Sequence, residues 1–129
     1  VAGQLPRFMS FEMALEKVVD SMREIADYAK EKGVMTMIEN HGYFCQDSDR
    51  VERIITGVSH RNFGALIDIG NFLCADENPV IAAGKLANYV KYVHAKDGSG
   101  LSSLPRASVV CGILCLSVPS WPRSPVSRW

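Results

Sequence analysis

Three short apolar runs, Val34-Met35-Thr36-Met37-Ile38, Phe63-Gly64-Ala65-Leu66-Ile67 and Tyr89-Val90-Lys91-Tyr92-Val93, are each preceded by a stretch of helical period. Each run stops at an ionisable residue: Glu39, Asp68 and His94. Near-continuous apolar runs of this length suit strands covered on both faces. Strands separated by helices must run parallel, because each crossover returns the chain to the same edge before the next strand starts. The order helix, strand, helix, strand, helix, strand therefore predicts an α/β fold with about three βα units, and it places Glu39, Asp68 and His94 on one side of the sheet.

The helices are legible from their punctuation. Ser10 is a good N-cap, and Phe11, Leu15, Val18, Met22, Ile25 and Ala29 form a stripe that ends near Gly33, a residue suited to the left-handed closing position. A second helix starts near Asp47 or Ser48, buries Val51, Ile54 and Ile55, and ends about Gly57. Asn78-Pro79 reads as N-cap and first helical residue of a third, with Val80, Ala83, Ala87 and Val90 as its stripe.

Charge divides the chain. All 14 acidic residues lie in 1–97, whereas 98–129 hold no Asp or Glu, three arginines (Arg106, Arg123, Arg128) and both tryptophans, amid serines and prolines. The sequence thus predicts a folded part over 1–97 and an atypical Ser/Pro/Arg-rich tail over 98–129, irregular or unstructured, or the product of a frame change. The apolar stretch Val109–Leu116 is too short to span a bilayer; it could cover the open sheet edge as a strand or helix, or promote aggregation, and composition does not decide between these. Zero formal net charge gives no basic field for nucleic acid, and no run of about 18 apolar residues supports a membrane span. Cys45, Cys74, Cys111 and Cys115 form no CxxC pair or zinc-finger spacing, so free thiols in a reducing compartment are expected. Val1-Ala2-Gly3 opens without a basic-then-apolar leader. The expectation is a cytoplasmic protein, read here as a fragment of a longer product.

Glu39, Asp68 and His94 make a mixed oxygen and nitrogen donor set that suits Mn²⁺, Mg²⁺, Co²⁺ or Zn²⁺ without selecting among them. Singly, each has an ordinary structural reading, the carboxylates as helix caps and the imidazole as a hydrogen-bonded residue. Together they carry a resemblance. Ile38-Glu39-Asn40-His41-Gly42, Leu66-Ile67-Asp68-Ile69-Gly70-Asn71-Phe72 and Tyr92-Val93-His94-Ala95-Lys96-Asp97 resemble the strand-end motifs of the sugar phosphate isomerase/epimerase superfamily, the xylose isomerase-like TIM barrels.

That resemblance implies a partial (β/α)8 barrel whose three strands match the fifth, sixth and seventh of complete members. It implies that Glu39, Asp68 and His94 are metal ligands, joined in complete members by an eighth-strand glutamate. It also implies metal-assisted proton transfer beside a ketose carbonyl, with Glu39 as one of two acid–base groups and a sugar or sugar phosphate as substrate. His41, Asn71, Lys96 and Asp97, just past the strand ends, would contact substrate. Asn71 stands where many members carry His, and an amide can orient a hydroxyl but not carry a proton. The acid-free tail cannot supply the eighth-strand glutamate, so impaired activity is expected.

Three other expectations follow. His60, before the second strand, belongs to the opposite end of the sheet and reads as structural or exposed. Exposed sheet edges favour a non-catalytic alternative, in which the piece self-associates or pairs with a complementary one. An abasic-site endonuclease-like function is disfavoured by only three histidines and no basic groove.

Overall fold

The computed structural model describes residues 8–95, together with the backbone of 114–116. Helix α1 (Phe11–Glu31) starts at Ser10, whose side chain accepts the Met13 N–H, and closes with Gly33 in the left-handed region at φ 69°. Strand β1 (Thr36–Glu39) follows. Helix α2 (Ser48–Val58) is capped by Asp47, which accepts the Arg50 N–H, and terminated by a left-handed Ser59. Strand β2 (Phe63–Asp68) leads into a 3₁₀ segment, Ile69–Ala75. Helix α3 (Pro79–Leu86) starts from Asn78, and a 3₁₀ turn, Ala87–Tyr89, precedes strand β3 (Val90–Ala95). Leu114–Leu116 forms strand β4.

The sheet order is β1-β2-β3-β4, with β1, β2 and β3 parallel and β4 antiparallel to β3. This is the expected α/β architecture of a partial barrel. Helices cover the face bearing Ile38, Ala65 and Ile67, which join Val51, Ile54, Val58, Ala26 and Leu86 in one continuous core. The tail 98–129, apart from the backbone of β4, lies outside the described residues, as do Lys96 and Asp97.

Four expectations need correction. Val34 and Met35 are exposed and precede the strand, because the Val34 N–H is used to close α1 on the Ala29 carbonyl. Coverage of β1 on both faces fails too, since Met37 is 38% exposed on the side away from the helices. On α1 the buried positions are Phe11, Ala14, Val19, Ala26 and Ala29, and Ile25 is half exposed, so the stripe turns away from Ile25 toward the small alanines that let α2 approach. On α3 the packed pair is Ala82 and Leu86, one turn apart, and Val80 in the first turn is 81% exposed.

The register of β3 places the site. Ala65 pairs with Val90 but Leu66 pairs with Tyr92, so Lys91 is an extra residue in β3. A one-residue bulge exchanges the faces of everything beyond it. Here it sets His94 opposite Asp68. Gly64 accommodates the irregularity: a Cβ there would lie 2.5 Å from the Lys91 Cγ and 2.7 Å from the Tyr89 carbonyl oxygen.

Thermal unfolding tests the corrected core. Ile54→Ala should cost about 2–5 kcal/mol, as core truncations do, whereas Val80→Ser and Ile25→Ser should stay within about 0.5 kcal/mol, as surface changes do. Equal losses would restore the stripes read from periodicity.

Candidate metal centre at the strand ends

Glu39 and Asp68 are the last residues of β1 and β2, and His94 lies in β3 beside Asp68. One ligand atom from each of the three lies within 4.8 Å of the others. All three therefore lie on one side of the sheet. Glu39 pairs in register with Leu66, two residues before Asp68, so its backbone sits about 6.6 Å lower along the strand direction. The Glu39 side chain nevertheless reaches the cluster, with Oε1 3.7 Å from the His94 Nδ1.

Each member is oriented by its neighbours. Asp68 is 4% exposed, and its Oδ1 accepts the Gly70 N–H at 3.1 Å, so the 3₁₀ turn aims the carboxylate. His94 packs edge-on against Tyr92, with ring centroids 5.4 Å apart. His41, largely exposed, puts Nδ1 3.8 Å from the same Glu39 oxygen, so that carboxylate stands between two imidazoles. Asn71 is buried in the turn after Asp68. His60 sits at the other end of the strands, accepting the Asn62 N–H on Nδ1 and facing Asp27 through Nε2 at 3.2 Å, a structural role.

Two carboxylates and an imidazole are donors that a divalent cation accepts. A cation about 2.1 Å from each donor in tetrahedral geometry would hold them about 3.4 Å from one another, so the side chains would close in by roughly an ångström from the widest spacing the cluster allows. The residues fit such an ion. Glu39 also lines a cleft of about 200 Å³, together with Met22, Met37, Ile38, His41, Cys45 and Leu66.

Two residues at this site were missed in sequence. Asn40 is fully buried, and its amide both donates to the Asp68 carbonyl at 2.9 Å and accepts the Asp68 N–H at 2.7 Å. Strand alternation was the available signal, because residues 38 and 40 share the helix-facing side and a buried amide must find partners. Cys45 is buried and its thiol donates to the carbonyls of Glu39 and His41 at 3.4 and 3.3 Å. Burial pushes that thiol above its ordinary range.

An open parallel sheet with a donor cluster at the carboxyl ends of its strands is a segment of a βα-barrel with a strand-end site. The profile of the family described as the xylose isomerase-like TIM barrel matches residues 1–108, and the chain belongs to that family. Inosose dehydratase from Clostridium beijerinckii is 27% identical over 81 residues, which is 62% of this chain and 27% of that protein. Inosose dehydratase 2 from Bacillus cereus is 26% identical over 83 residues, 64% of this chain and 28% of its own length. The chain thus spans little more than a quarter of the curated relatives it matches. Among solved structures, the 3-keto-D-glucoside 4-epimerase from E. coli in its apo form superposes with a TM-score of 0.64 at 17% identity, covering 77% of this chain and 41% of that one.

The chemistry of Cys45 gives a direct check. Thiolate, the reactive form, is scarce at a buried thiol held up in pKa, so iodoacetamide at pH 8 should modify exposed Cys74 at least about tenfold faster than Cys45, read by peptide mass mapping. Equal rates would contradict the packed loop after β1.

Proposed function

We propose that this chain carries the metal-binding and proton-abstracting part of a keto-sugar isomerase, epimerase or dehydratase site. The observation that carries the reading is the convergence of Glu39, Asp68 and His94 within 4.8 Å at the ends of three adjacent parallel strands. Epimerisation next to a ketone and dehydration beside one can both begin by removing a proton from the carbon adjacent to the carbonyl, a step that would be common to the activities named for the relatives. A divalent cation bound by these residues would supply Lewis acidity toward the carbonyl oxygen.

The chain's own side chains supply the rest. Glu39 borders both the cluster and the cleft, so its carboxylate is the base that takes the substrate proton. Asp68 and His94 hold the cation with fixed orientations. His41, Asn71, Lys96 and Asp97 are proposed to bind sugar hydroxyl or phosphate groups. Change of configuration needs a second acid–base group on the opposite face of the substrate. Residues 98–129 hold no carboxylate side chain to provide it, so turnover by these 129 residues alone is inferred to be impaired. Among the described residues Cys45 and Cys74 are free thiols, in keeping with the proposed reducing, cytoplasmic setting. Among the described residues no helix is long and apolar enough to cross a membrane.

Thermal unfolding in EDTA and then in rising Mn²⁺ tests the site. A ligand that binds only the folded state adds about 2.7 kcal/mol at 100 times its dissociation constant. The parent's midpoint should rise with Mn²⁺, and the midpoints of Glu39→Ala and His94→Ala should not. A midpoint indifferent to metal in the parent would overturn the reading.

A second reading rests on the open side of β1. That strand is at the sheet edge and Met37 is exposed on the face away from the helices, an arrangement that invites pairing. We infer association of this chain with itself or with a complementary barrel piece. Light scattering should then give a mass that grows with concentration, and a concentration-independent monomer would exclude self-association.

A further inference from the structure

The chain leaves the sheet abruptly after Glu39. The His41 N–H bonds back to the Glu39 carbonyl at 2.8 Å, a three-residue turn centred on Asn40, and the Cys45 thiol donates to the same carbonyl. With the backbone turned away, no main-chain group of β1 is left to continue the ladder beyond the Glu39 and Leu66 pair. The Asn40 side chain takes its place: an amide offers one face with a donor and an acceptor, as a peptide group does, and it exchanges two hydrogen bonds with the N–H and carbonyl of Asp68. Asn40 has no exposed surface, while the adjacent Glu39 side chain points to the opposite, ligand-bearing side.

We propose that Asn40 is a positioning residue, its side-chain amide standing in for a peptide to lock the ends of β1 and β2 together and so fix the spacing of the Glu39 and Asp68 carboxylates for a divalent cation. The inference rests on the reading of Glu39, Asp68 and His94 as ligands. Asparagine suits the task by length and chemistry: aspartate could not donate to the Asp68 carbonyl, and glutamine would reach one methylene too far. The two bonds run to the main chain of one ligand residue from the residue next to another, so their loss would release the distance between the carboxylates without removing either of them.

The test is Co²⁺ binding by the 129-residue chain, followed by calorimetry and by visible absorption, in the parent, Asn40→Ala and Asn40→Ser, at a temperature where circular dichroism shows each fully folded. Loss of a partner that orients metal ligands typically costs about 10- to 100-fold in affinity, and both variants should show that loss with an altered Co²⁺ absorption band. A merely structural asparagine would lower the metal-free midpoint and leave the affinity and band of the folded protein unchanged, which would overturn the proposal while the metal site stood. No Co²⁺ binding by the parent would overturn the ligand reading and this proposal with it. Should neither variant fold, NMR hydrogen exchange on the parent in EDTA decides: the Asn40 side-chain amide and the Asp68 N–H should be protected, and rapid exchange at both would overturn the clasp.

Discussion

Parallel pairing of β1, β2 and β3 is the constraint on which the other features depend. Because every strand runs the same way, every strand ends on the same side, and whatever residue terminates each apolar run is delivered to a common edge. Direction alone does not bring side chains together, however. Lateral position follows from the order β1-β2-β3, which sets Asp68 between Glu39 and His94, and height follows from register. The extra residue Lys91 shifts that register so that His94 rather than Val93 lies opposite Asp68, and the absence of a side chain at Gly64 makes room for it. The candidate metal centre is thus a product of sheet geometry, with a bulge and a glycine as its local conditions.

Much of this was legible in the sequence, for physical reasons. Asp47, Asn78 and Gly33 announce helix ends because capping chemistry is local, and Val51, Ile54 and Ile55 are buried as their spacing requires. The strand-end triad was legible because parallel topology follows from element order alone. The misreadings concern what lies across from each element, which a periodic pattern does not contain. Ile25 and Val80 fit a helical stripe, yet the core is reached through Ala26 and Ala82. Val34 and Met35 belong to an apolar run but lie where α1 closes. The 3₁₀ segment Ile69–Ala75 has no helical period to betray it, and Asn40 escaped notice because its role lies in a contact to a residue far along the chain.

Electrostatics and packing divide the labour at the site. The helix-facing side is sealed by apolar residues and by the Asn40 and Cys45 hydrogen bonds, which leave Glu39 and His94 partly accessible on the other side. Asp68 bridges the two environments, buried yet turned toward the cluster by the Gly70 N–H. A cation bound here would neutralise two neighbouring carboxylates, and the cleft beside Glu39 would give a small polar molecule access to the same group.

The central claim is that Glu39, Asp68 and His94 together hold one divalent ion. Anomalous diffraction from crystals grown with Mn²⁺ tests it most directly. The account predicts one strong anomalous peak within about 2.0–2.3 Å of a carboxylate oxygen of Glu39, a carboxylate oxygen of Asp68 and a ring nitrogen of His94. No peak at the strand ends, or a peak held by other residues, would contradict it.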